Sequence, residues 1–258
     1  MILAVGTLWQ REIVRFVRQR SRLLGALAQP IVFWLLLGGG FSPSFRAPGA
    51  AEGHGYLQYF YPGTLALVLL FTAIFATISV VEDRRAGFLQ GVLVAPVSRA
   101  SIVLGQSSGA TTLAVLQGTL FLLLAPFGGI ALTLGRVLAT MAAMAVVAFG
   151  LTNLGLLIAW RMESTQGFHA IMNLVLLPIW FLSGAFFPAQ GVPPPLSWVM
   201  AIDPLTYGLA MIRAAMYLGG PSPYTALPNL LLCIGVSVGF GLATLAGAIA
   251  VARRSSTL

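Results

Sequence analysis

Long apolar stretches that are almost free of charge recur along the whole sequence. A helix of about 20 apolar residues crosses the roughly 30 Å hydrocarbon core of a bilayer. Six stretches meet this description, at 23–41, 61–81, 102–127, 136–160, 168–187 and 226–251. Charged residues make up only 8% of the chain, whereas a soluble domain has roughly 25%. The sequence therefore predicts an all-α membrane protein with six transmembrane helices, forming a single transmembrane domain over residues 1–258.

Arginine is unevenly distributed between the segments that connect these stretches. The sequence has no lysine, so its 14 basic residues are all arginines. Three of them, Arg46, Arg136 and Arg213, lie on one side of the predicted membrane, and the other eleven lie on the side of the two termini. Because positive charge concentrates on the cytoplasmic side, we expect both termini in the cytoplasm and a multi-pass protein of the bacterial cytoplasmic (inner) membrane.

Residues 1–22 have the pattern of an amphipathic helix. At 100° per residue, Arg11, Arg15 and Arg18 fall on one side, and Trp9 and Phe16 fall on the opposite side. Such a helix lies in the membrane interface, with its arginines toward anionic headgroups. We expect an N-terminal interfacial helix, and the alternatives are a solvated run of charge and a cleaved signal peptide.

Residues 82–99 separate the second and third apolar stretches. The segment opens with four consecutive charged residues, and its apolar positions then recur at the spacing of a short helix with one apolar side. Pro96 ends that helix, because proline lacks an N–H and disfavours the α conformation of the preceding residue. The apolar positions are Phe88, Leu89, Val92 and Leu93. The pattern favours a cytoplasmic loop whose short helix docks into a groove of another protein.

Residues 189–223, between the fifth and sixth stretches, are too polar to span the bilayer and too apolar for a free loop. We expect short extracytoplasmic helices that are partly sunk in the outer leaflet. Asp203 and Pro204 have the pattern of a helix cap followed by a first-turn proline. They predict the start of a helix that runs toward Tyr217.

Several kinds of chemistry are excluded by the residues that the chain lacks. A phosphate-binding P-loop needs a lysine, so this chain cannot supply that ATP site and is not expected to be an enzyme itself. Glu52 and His54 are too few ligands for a metal site, and a nucleic-acid surface of basic and stacking aromatic residues is missing. Gly105 and Gly109 favour close helix packing over a nucleophilic role for the serines between them.

Four polar residues lie at membrane depth. They are Gln106, Gln117, Asn153 and Asn173. Hydrogen bonds between helices are the favoured interpretation, and a lining of the substrate path is the alternative.

Three motifs give the chain a family resemblance. Residues 82–99 read E-D-R-R-A-G-F-L-Q-G-V-L-V-A-P-V-S-R, residues 181–188 read F-L-S-G-A-F-F-P, and residues 203–208 read D-P-L-T-Y-G ahead of Arg213. In this order they resemble the type-2 ATP-binding-cassette (ABC) exporter permeases, in particular the drug and lipo-oligosaccharide branch. Asp83 departs from the pattern, since the family often has arginine there.

The resemblance implies a permease that forms a homodimer or heterodimer and is driven by two copies of a separate ABC ATPase, which would hold ATP and Mg. It implies a coupling helix between spans 2 and 3 and a hydrophobic or amphiphilic substrate, such as a drug, lipid or glycolipid. The expected ATPase-coupling residues are Glu82, Asp83, Arg84, Arg85, Gly87, Phe88, Leu89, Leu93, Pro96 and Arg99. The expected extracytoplasmic gate is Phe186, Phe187, Pro188, Asp203 and Tyr207. Membrane lipids are expected partners, and no cofactor is expected in this chain.

Two other transport classes and one enzyme class remain as alternatives. An ABC importer permease has a Glu-Ala-Ala signature followed by glycine in its coupling loop, which this sequence lacks. An ion-coupled secondary carrier is expected to have a titratable group at the bilayer midplane and internal repeats. An intramembrane hydrolase needs a nucleophile and a base. Neither of these last two patterns is found.

Overall fold

The computed structural model describes residues 2–18, 20–41, 55–94, 96–187, 192–220, 222–224 and 227–254. Every regular element within these ranges is helical. The α-helices are α1 (Ile2–Arg18), α2 (Arg20–Phe33), α3 (Gly39–Phe41), α4 (Tyr56–Ala76), α5 (Ile78–Arg85), α6 (Phe88–Val94), α7 (Arg99–Leu122), α8 (Leu134–Ala159), α9 (Thr165–Trp180), α10 (Pro194–Ile202), α11 (Pro204–Met216) and α12 (Leu230–Arg254). Wider π turns connect α2 to α3 at Trp34–Gly38 and follow α9 at Phe181–Ala185.

The helical unit formed by α4 and α5 is the centre of the bundle. It runs for 30 residues from Tyr56 to Arg85, and 89% of its most apolar 18-residue stretch is buried inside the protein. Helices α2, α7, α8, α9 and α11 pack around it. A helix that is apolar on every side is stable only when it is enclosed, and this is the environment that α4 has.

Within the described ranges, four helical units are long and apolar enough to cross a membrane. They are Tyr56–Arg85, Leu134–Ala159, Thr165–Ala185 and Leu230–Arg254. Helices α10 and α11, bent by 78°, make a fifth if they count as one broken span. The first predicted stretch gives a shorter apolar helix, Leu27–Phe41, and α7 has 24 residues but is not among the four. The chain is a multi-pass membrane protein, and the count of six spans stays a prediction.

Several predicted boundaries differ from the structure by a few residues, and two of them have a local explanation. The last helix begins at Leu230 rather than at residue 226, because the side chain of Asn229 accepts a hydrogen bond from the Leu231 N–H at 2.9 Å and caps the helix there. The predicted loop at 82–99 begins as helix, since α5 continues through the four charged residues to Arg85. Helix α6 then follows after a two-residue turn.

The cap predicted at Asp203 is confirmed. A side-chain oxygen of Asp203 accepts a hydrogen bond from the Leu205 N–H at 2.9 Å, and Pro204 is the first residue of α11. The helix ends at Met216, next to the predicted end at Tyr217. Residues 192–220 therefore contain the two short helices that the sequence predicts.

Helix α1 packs closely along α7 through two glycines. A Cβ atom on Gly105 would lie 2.7 Å from the Leu8 Cβ, and one on Gly109 would lie 2.8 Å from the Glu12 Cβ. The Trp9 indole N–H also donates to the Thr112 hydroxyl at 3.1 Å. The predicted close packing at the glycine pair is confirmed, because no larger residue fits at either position without displacing α1.

Candidate functional site

The two carboxylates at the end of α5 hold helix α1. Arg11 donates to both oxygens of Asp83, at 2.7 and 2.6 Å, and Arg15 donates to Asp83 at 2.9 Å. Arg15 also donates to Glu82. Bidentate arginine–carboxylate pairs are strong and fix orientation, so these contacts set the position of α1 against α5.

Asp83 and Glu82 differ in exposure. The side chain of Asp83 is 6% exposed, and the side chain of Glu82 is 37% exposed. Removing one partner of a buried ion pair leaves an uncompensated charge, whereas an exposed pair contributes little. Asp83 is therefore the residue on which the contact between α1 and α5 depends.

Glu12 is a third carboxylate near this cluster, and it faces α7. Only 5% of the residue is exposed, and its side chain lies against Gly109. Burial raises the pKa of Glu12, while the nearby charges of Arg11 and Arg15 oppose that rise. Burial has the larger effect, so the environment favours the protonated form more than water does.

The two arginines at the end of α5 hold a different part of the chain. Arg84 donates to the carbonyl oxygens of Trp160 at 2.7 Å and Met162 at 3.1 Å, and Arg85 donates to the Glu163 carbonyl at 3.1 Å. These carbonyls lie at the end of α8, where the helix leaves acceptors without helical partners. Positive charge is also favourable at a helix C-terminus. Residues 82–85 thus connect α1 on one side to the turn between α8 and α9 on the other.

Helix α6 extends from this cluster. Gly87 has a φ of +74°, a left-handed conformation that suits glycine, and it redirects the chain between α5 and α6. The Arg11 guanidinium lies 4.0 Å from the centre of the Phe88 ring, and Phe88 is still 43% exposed. Val94, at the other end of α6, is 88% exposed. We call α6, residues 82–85, Arg11, Arg15 and the turn at 160–163 the charged end of the bundle.

A second cluster lies at the opposite end of α4, around a break in α9. Gly184 has a φ of +81° within the π turn that follows α9. Its carbonyl oxygen accepts hydrogen bonds from Arg213 at 2.8 Å and from the Tyr59 hydroxyl at 3.4 Å. The Trp180 indole N–H donates to the Gly63 carbonyl at 2.7 Å. The break is therefore held by contacts to both α4 and α11.

Arg213 is buried at this break, with 7% of the residue exposed. Its guanidinium carbon lies 5.1 Å from the centre of the Tyr59 ring and 4.4 Å from that of Tyr224. Within the described residues no carboxylate forms an ion pair with Arg213, and its Nε has no hydrogen-bond partner. The positive charge is stabilised by the Gly184 carbonyl and the two aromatic faces.

Phe186 extends the same cluster toward α3. The Tyr56 hydroxyl donates to the Phe186 carbonyl at 3.0 Å. The Phe186 ring contacts the rings of Phe41, Phe60 and Phe181, with centroid separations of 6.2, 5.8 and 5.5 Å. We call Tyr56, Tyr59, Gly184, Phe186, Arg213 and Tyr224 the aromatic end.

Comparison with known proteins identifies the family. Residues 4–217 match the family described as ABC-2 type transporter. The chain belongs to this family. Nodulation protein J of Rhizobium leguminosarum bv. viciae is 28% identical over 244 residues, which are 92% of this chain and 90% of the relative. The putative transport permease ycf38 of Cyanophora paradoxa is 28% identical over 207 residues, which are 79% of this chain and 71% of the relative.

The family resemblance seen in the three motifs is thus confirmed, and the chain is an ABC-2 permease, a membrane subunit that serves transport. Nodulation protein J of Rhizobium meliloti (strain 1021) is also 28% identical, over 246 residues, which are 92% of this chain and 89% of the relative. The similarity to both nodulation proteins extends over most of each chain.

The structure of the ABC-2 permease gives the predicted coupling residues partners inside the chain. Glu82, Asp83, Arg84 and Arg85 are four of the predicted ATPase-coupling residues, and all four contact α1 or the turn at 160–163. Sequence reasoning assigned Arg11 and Arg15 to lipid headgroups and missed this pairing. The sequence did carry one indication of this pairing. It has only six carboxylates and 14 arginines, so nearly every carboxylate can find an arginine partner within the chain.

The other predicted coupling residues lie near α6. Pro96 is exposed in the bend after α6, and Arg99 begins α7, where the Ser98 hydroxyl accepts a hydrogen bond from the Ser101 N–H at 3.2 Å. The side chains of Leu89 and Leu93 lie outside the described part of the permease, although their backbones belong to α6.

The four polar residues at membrane depth have different surroundings in the structure. Gln117 is buried and accepts a hydrogen bond from Thr72 of α4, as a contact between helices. Asn153 donates to the Phe149 carbonyl of its own helix at 2.9 Å. Gln106 is buried on α7, and its carbonyl oxygen has no partner among the described residues. Asn173 is exposed on α9.

The predicted gate residues are only partly brought together. Phe186 belongs to the aromatic end, Phe187 follows it and is half-buried, and Pro188 lies outside the described residues. Asp203 caps α11, and the Tyr207 hydroxyl donates to the Ala201 carbonyl at 2.8 Å, so both fix the bend between α10 and α11. Sequence reasoning missed Tyr59 and Tyr224, although the aromatic residues at 56–61 were a visible signal.

Proposed function

We propose that this permease is the membrane-spanning subunit of an ATP-driven exporter. It moves a hydrophobic or amphiphilic substrate, such as a drug, lipid or glycolipid, out of the cytoplasm or the inner leaflet. Two copies of a separate ABC ATPase hold ATP and Mg, and a second permease chain completes the transporter as a homodimer or heterodimer. The charged end and both termini face the cytoplasm of a bacterium, in its inner membrane.

The observation that carries this proposal is the attachment of α6. The helix presents the exposed side chains of Phe88 and Val94, and a two-residue turn joins it to a 30-residue helical unit at the centre of the bundle. Exposed apolar side chains on a rigid support are suited to anchor a partner protein. Movement of a partner bound there passes into α5 and α4 through a turn of only two residues.

The internal ion pairs support the same mechanism. Because Arg11 and Arg15 bind the carboxylates of α5 and Arg84 and Arg85 bind the turn at 160–163, a displacement of α6 carries α1, α5 and the start of α9 together. Because the charged residues at 82–85 already have partners within the chain, the apolar residues of α6 are proposed to form the contact with the ATPase. Leu89 and Leu93 are proposed to share this role with Phe88.

The aromatic end is proposed as the extracytoplasmic gate. It lies at the far end of the same α4–α5 unit, about 45 Å from the charged end at 1.5 Å per residue. A substrate path along the polar residues of α7 and α8 would connect the two ends. The small number of charged side chains in the spanning helices favours an amphiphilic substrate over a highly charged one.

Co-purification with an ABC ATPase tests the proposal. The tagged permease is expected to retain an ATPase that carries a P-loop, and Phe88→Asp is expected to lose it, because a carboxylate on the docking surface is costly to bury. The matched control is Leu134→Asp, which places the same charge at an exposed residue that begins α8, where acidic residues are tolerated.

The two variants must also be present in the membrane at equal amounts. Retention of the ATPase by Phe88→Asp at the wild-type level would contradict docking on α6. Transport of a substrate by the purified permease alone, without any ATPase, would contradict the proposal as a whole.

A further inference from the structure

A cavity of about 420 Å³, which is open on its outer side, lies alongside α1. Its described lining residues are Arg11, Val14, Arg15 and Arg18. Residues at this spacing share one face of a helix, so three guanidinium groups border a single open space. Contacts within the described part of the protein leave some of this positive charge unused.

The arginines around the cavity have spare hydrogen-bond donors. A guanidinium has five N–H groups. Arg11 makes three hydrogen bonds to Glu12 and Asp83, and Arg15 makes one each to Asp83 and Glu82. Arg18 is exposed and makes no hydrogen bond or ion pair within the described part of the chain. The cavity can therefore satisfy a multidentate anionic acceptor while the ion pairs to α5 remain intact.

Charge also favours an anion at this place. Arg11 pairs with Asp83 and, at 3.3 Å, with Glu12, and Arg15 pairs with Asp83 and Glu82, whereas Arg18 forms no ion pair within the described residues. Glu12 does not line the cavity, because its side chain is buried against Gly109 of α7. Arginine forks match the oxygens of a phosphate group in geometry as well as in charge.

Apolar side chains next to the cavity identify the source of the phosphate. Val14 and Val17 are 41% and 55% exposed, and Ile2 and Leu3, at the start of the same helix, are 88% and 87% exposed. A helix with arginines and exposed apolar residues lies at the boundary between headgroups and acyl chains. A phosphate held here is then adjacent to a surface suited to lipid tails.

We infer that the cavity bordered by Arg11, Arg15 and Arg18 is a binding site for the phosphate headgroup of an anionic phospholipid. The lipid tethers α1 to the leaflet at the charged end, through the same two arginines that hold Asp83 and Glu82. The inference goes beyond the proposed function, because headgroup binding requires a bilayer and requires neither an ATPase nor transport.

Native mass spectrometry of the full-length chain in detergent tests the site. The probes are phosphatidylglycerol, phosphatidylcholine and sn-glycerol 3-phosphate, each added at the same concentration. Wild-type protein is expected to retain phosphatidylglycerol more strongly than phosphatidylcholine. Arg18→Gln is expected to weaken phosphatidylglycerol retention about five-fold, the contribution of one arginine near an anionic surface.

A matched variant separates a built site from general attraction. Arg161→Gln removes an exposed arginine from the turn after α8, and it is expected to retain phosphatidylglycerol like the wild type. Equal losses in Arg18→Gln and Arg161→Gln would overturn the site in favour of non-specific charge attraction. Equal retention of both lipids by the wild type would overturn it as well.

Two further outcomes distinguish other ligands. If sn-glycerol 3-phosphate displaces phosphatidylglycerol at equal concentration, the site recognises a soluble phosphate and the lipid assignment is wrong. If Arg18→Gln retains phosphatidylglycerol fully but loses the ABC ATPase on co-purification, the arginines serve a protein partner instead. Loss of the ATPase by Phe88→Asp bears only on the proposed function and leaves this inference unaffected.

Discussion

The two ends of the α4–α5 unit are held together by different physical interactions. At the charged end, carboxylates and arginines that are far apart in sequence form ion pairs, with side chains 25% to 37% exposed around the buried Asp83. At the aromatic end, one buried cation contacts a carbonyl and two tyrosine rings. Both ends connect the same central helical unit to its neighbours.

The difference indicates how each end can respond to its surroundings. Partly exposed ion pairs compete with salt, lipid headgroups and partner proteins, so the charged end is open to control from outside the chain. The aromatic end is enclosed, and its strength depends on packing and on a hydrogen bond within a low-dielectric environment. A signal can therefore enter at the charged end, whereas the aromatic end changes only when its packing changes.

The largest effect is expected from Asp83→Ala at the charged end. The substitution leaves Arg11 and Arg15 without their buried partner, and breaking a buried pair costs about 3–5 kcal/mol. The free energy of unfolding in detergent micelles measures this loss. Glu82→Ala is the matched control, and because the Glu82 side chain is 37% exposed it is expected to cost less than about 1 kcal/mol. Equal losses from both variants would remove the distinction between the two carboxylates.

An intermediate effect is expected from Arg213→Met at the aromatic end. Methionine keeps an elongated side chain but removes the donor to the Gly184 carbonyl, and a hydrogen bond from a charged group contributes about 1.5–3 kcal/mol. The exposed Arg161, substituted in the same way, is expected to lose less than about 1 kcal/mol. Salt provides the comparison between the ends, since added salt is expected to weaken the charged end and to leave the Arg213 contribution unchanged. If Arg213→Met is as stable as the wild type, Arg213 does not stabilise the break in the helix at Gly184.

The smallest effect is expected from the pH dependence of Glu12. Burial raises the pKa of Glu12, so the folded state binds this proton more tightly than the unfolded state does. Stability associated with the protonated form is complete below the ordinary carboxyl pKa and is lost as the pH rises through the raised pKa. Glu12→Gln is therefore expected to be slightly more stable than the wild type at neutral pH, with the difference shrinking as the pH falls. Unfolding curves over a pH series measure this stability difference between Glu12→Gln and the wild type, with Arg11, Arg15 and Asp83 left unchanged in both proteins. A difference that grows toward low pH would contradict a raised pKa of Glu12.

The sequence predicts the helices well wherever local chemistry decides their ends. The cap at Asp203 and the end of α6 before Pro96 follow from the intrinsic properties of those residues. The family assignment also follows from local motifs. The start of α12 was misplaced by four residues, because a hydropathy pattern does not register a cap such as Asn229.

The interactions at both ends could be predicted only in part, because they join residues that are distant in the chain. Arg11 and Asp83 are 72 residues apart, and Tyr59 and Gly184 are 125 apart. An amphipathic pattern assigns Arg11 to a polar face, and it cannot distinguish whether that face meets lipid headgroups or a carboxylate of another helix. The role of Arg213 depends on the left-handed conformation of Gly184, which the sequence does not specify.

The adjacency of Asp83 and Arg84 in the chain limits how α5 can move. Successive side chains on a helix project about 100° apart, and these two bind α1 and the turn at 160–163 respectively. A rotation of α5 about its own axis would shift both side chains in the same rotational sense and strain both sets of contacts at once. A force applied at α6 would therefore shift α5 as a rigid body along with its neighbours, and it would not rotate α5 about its own axis.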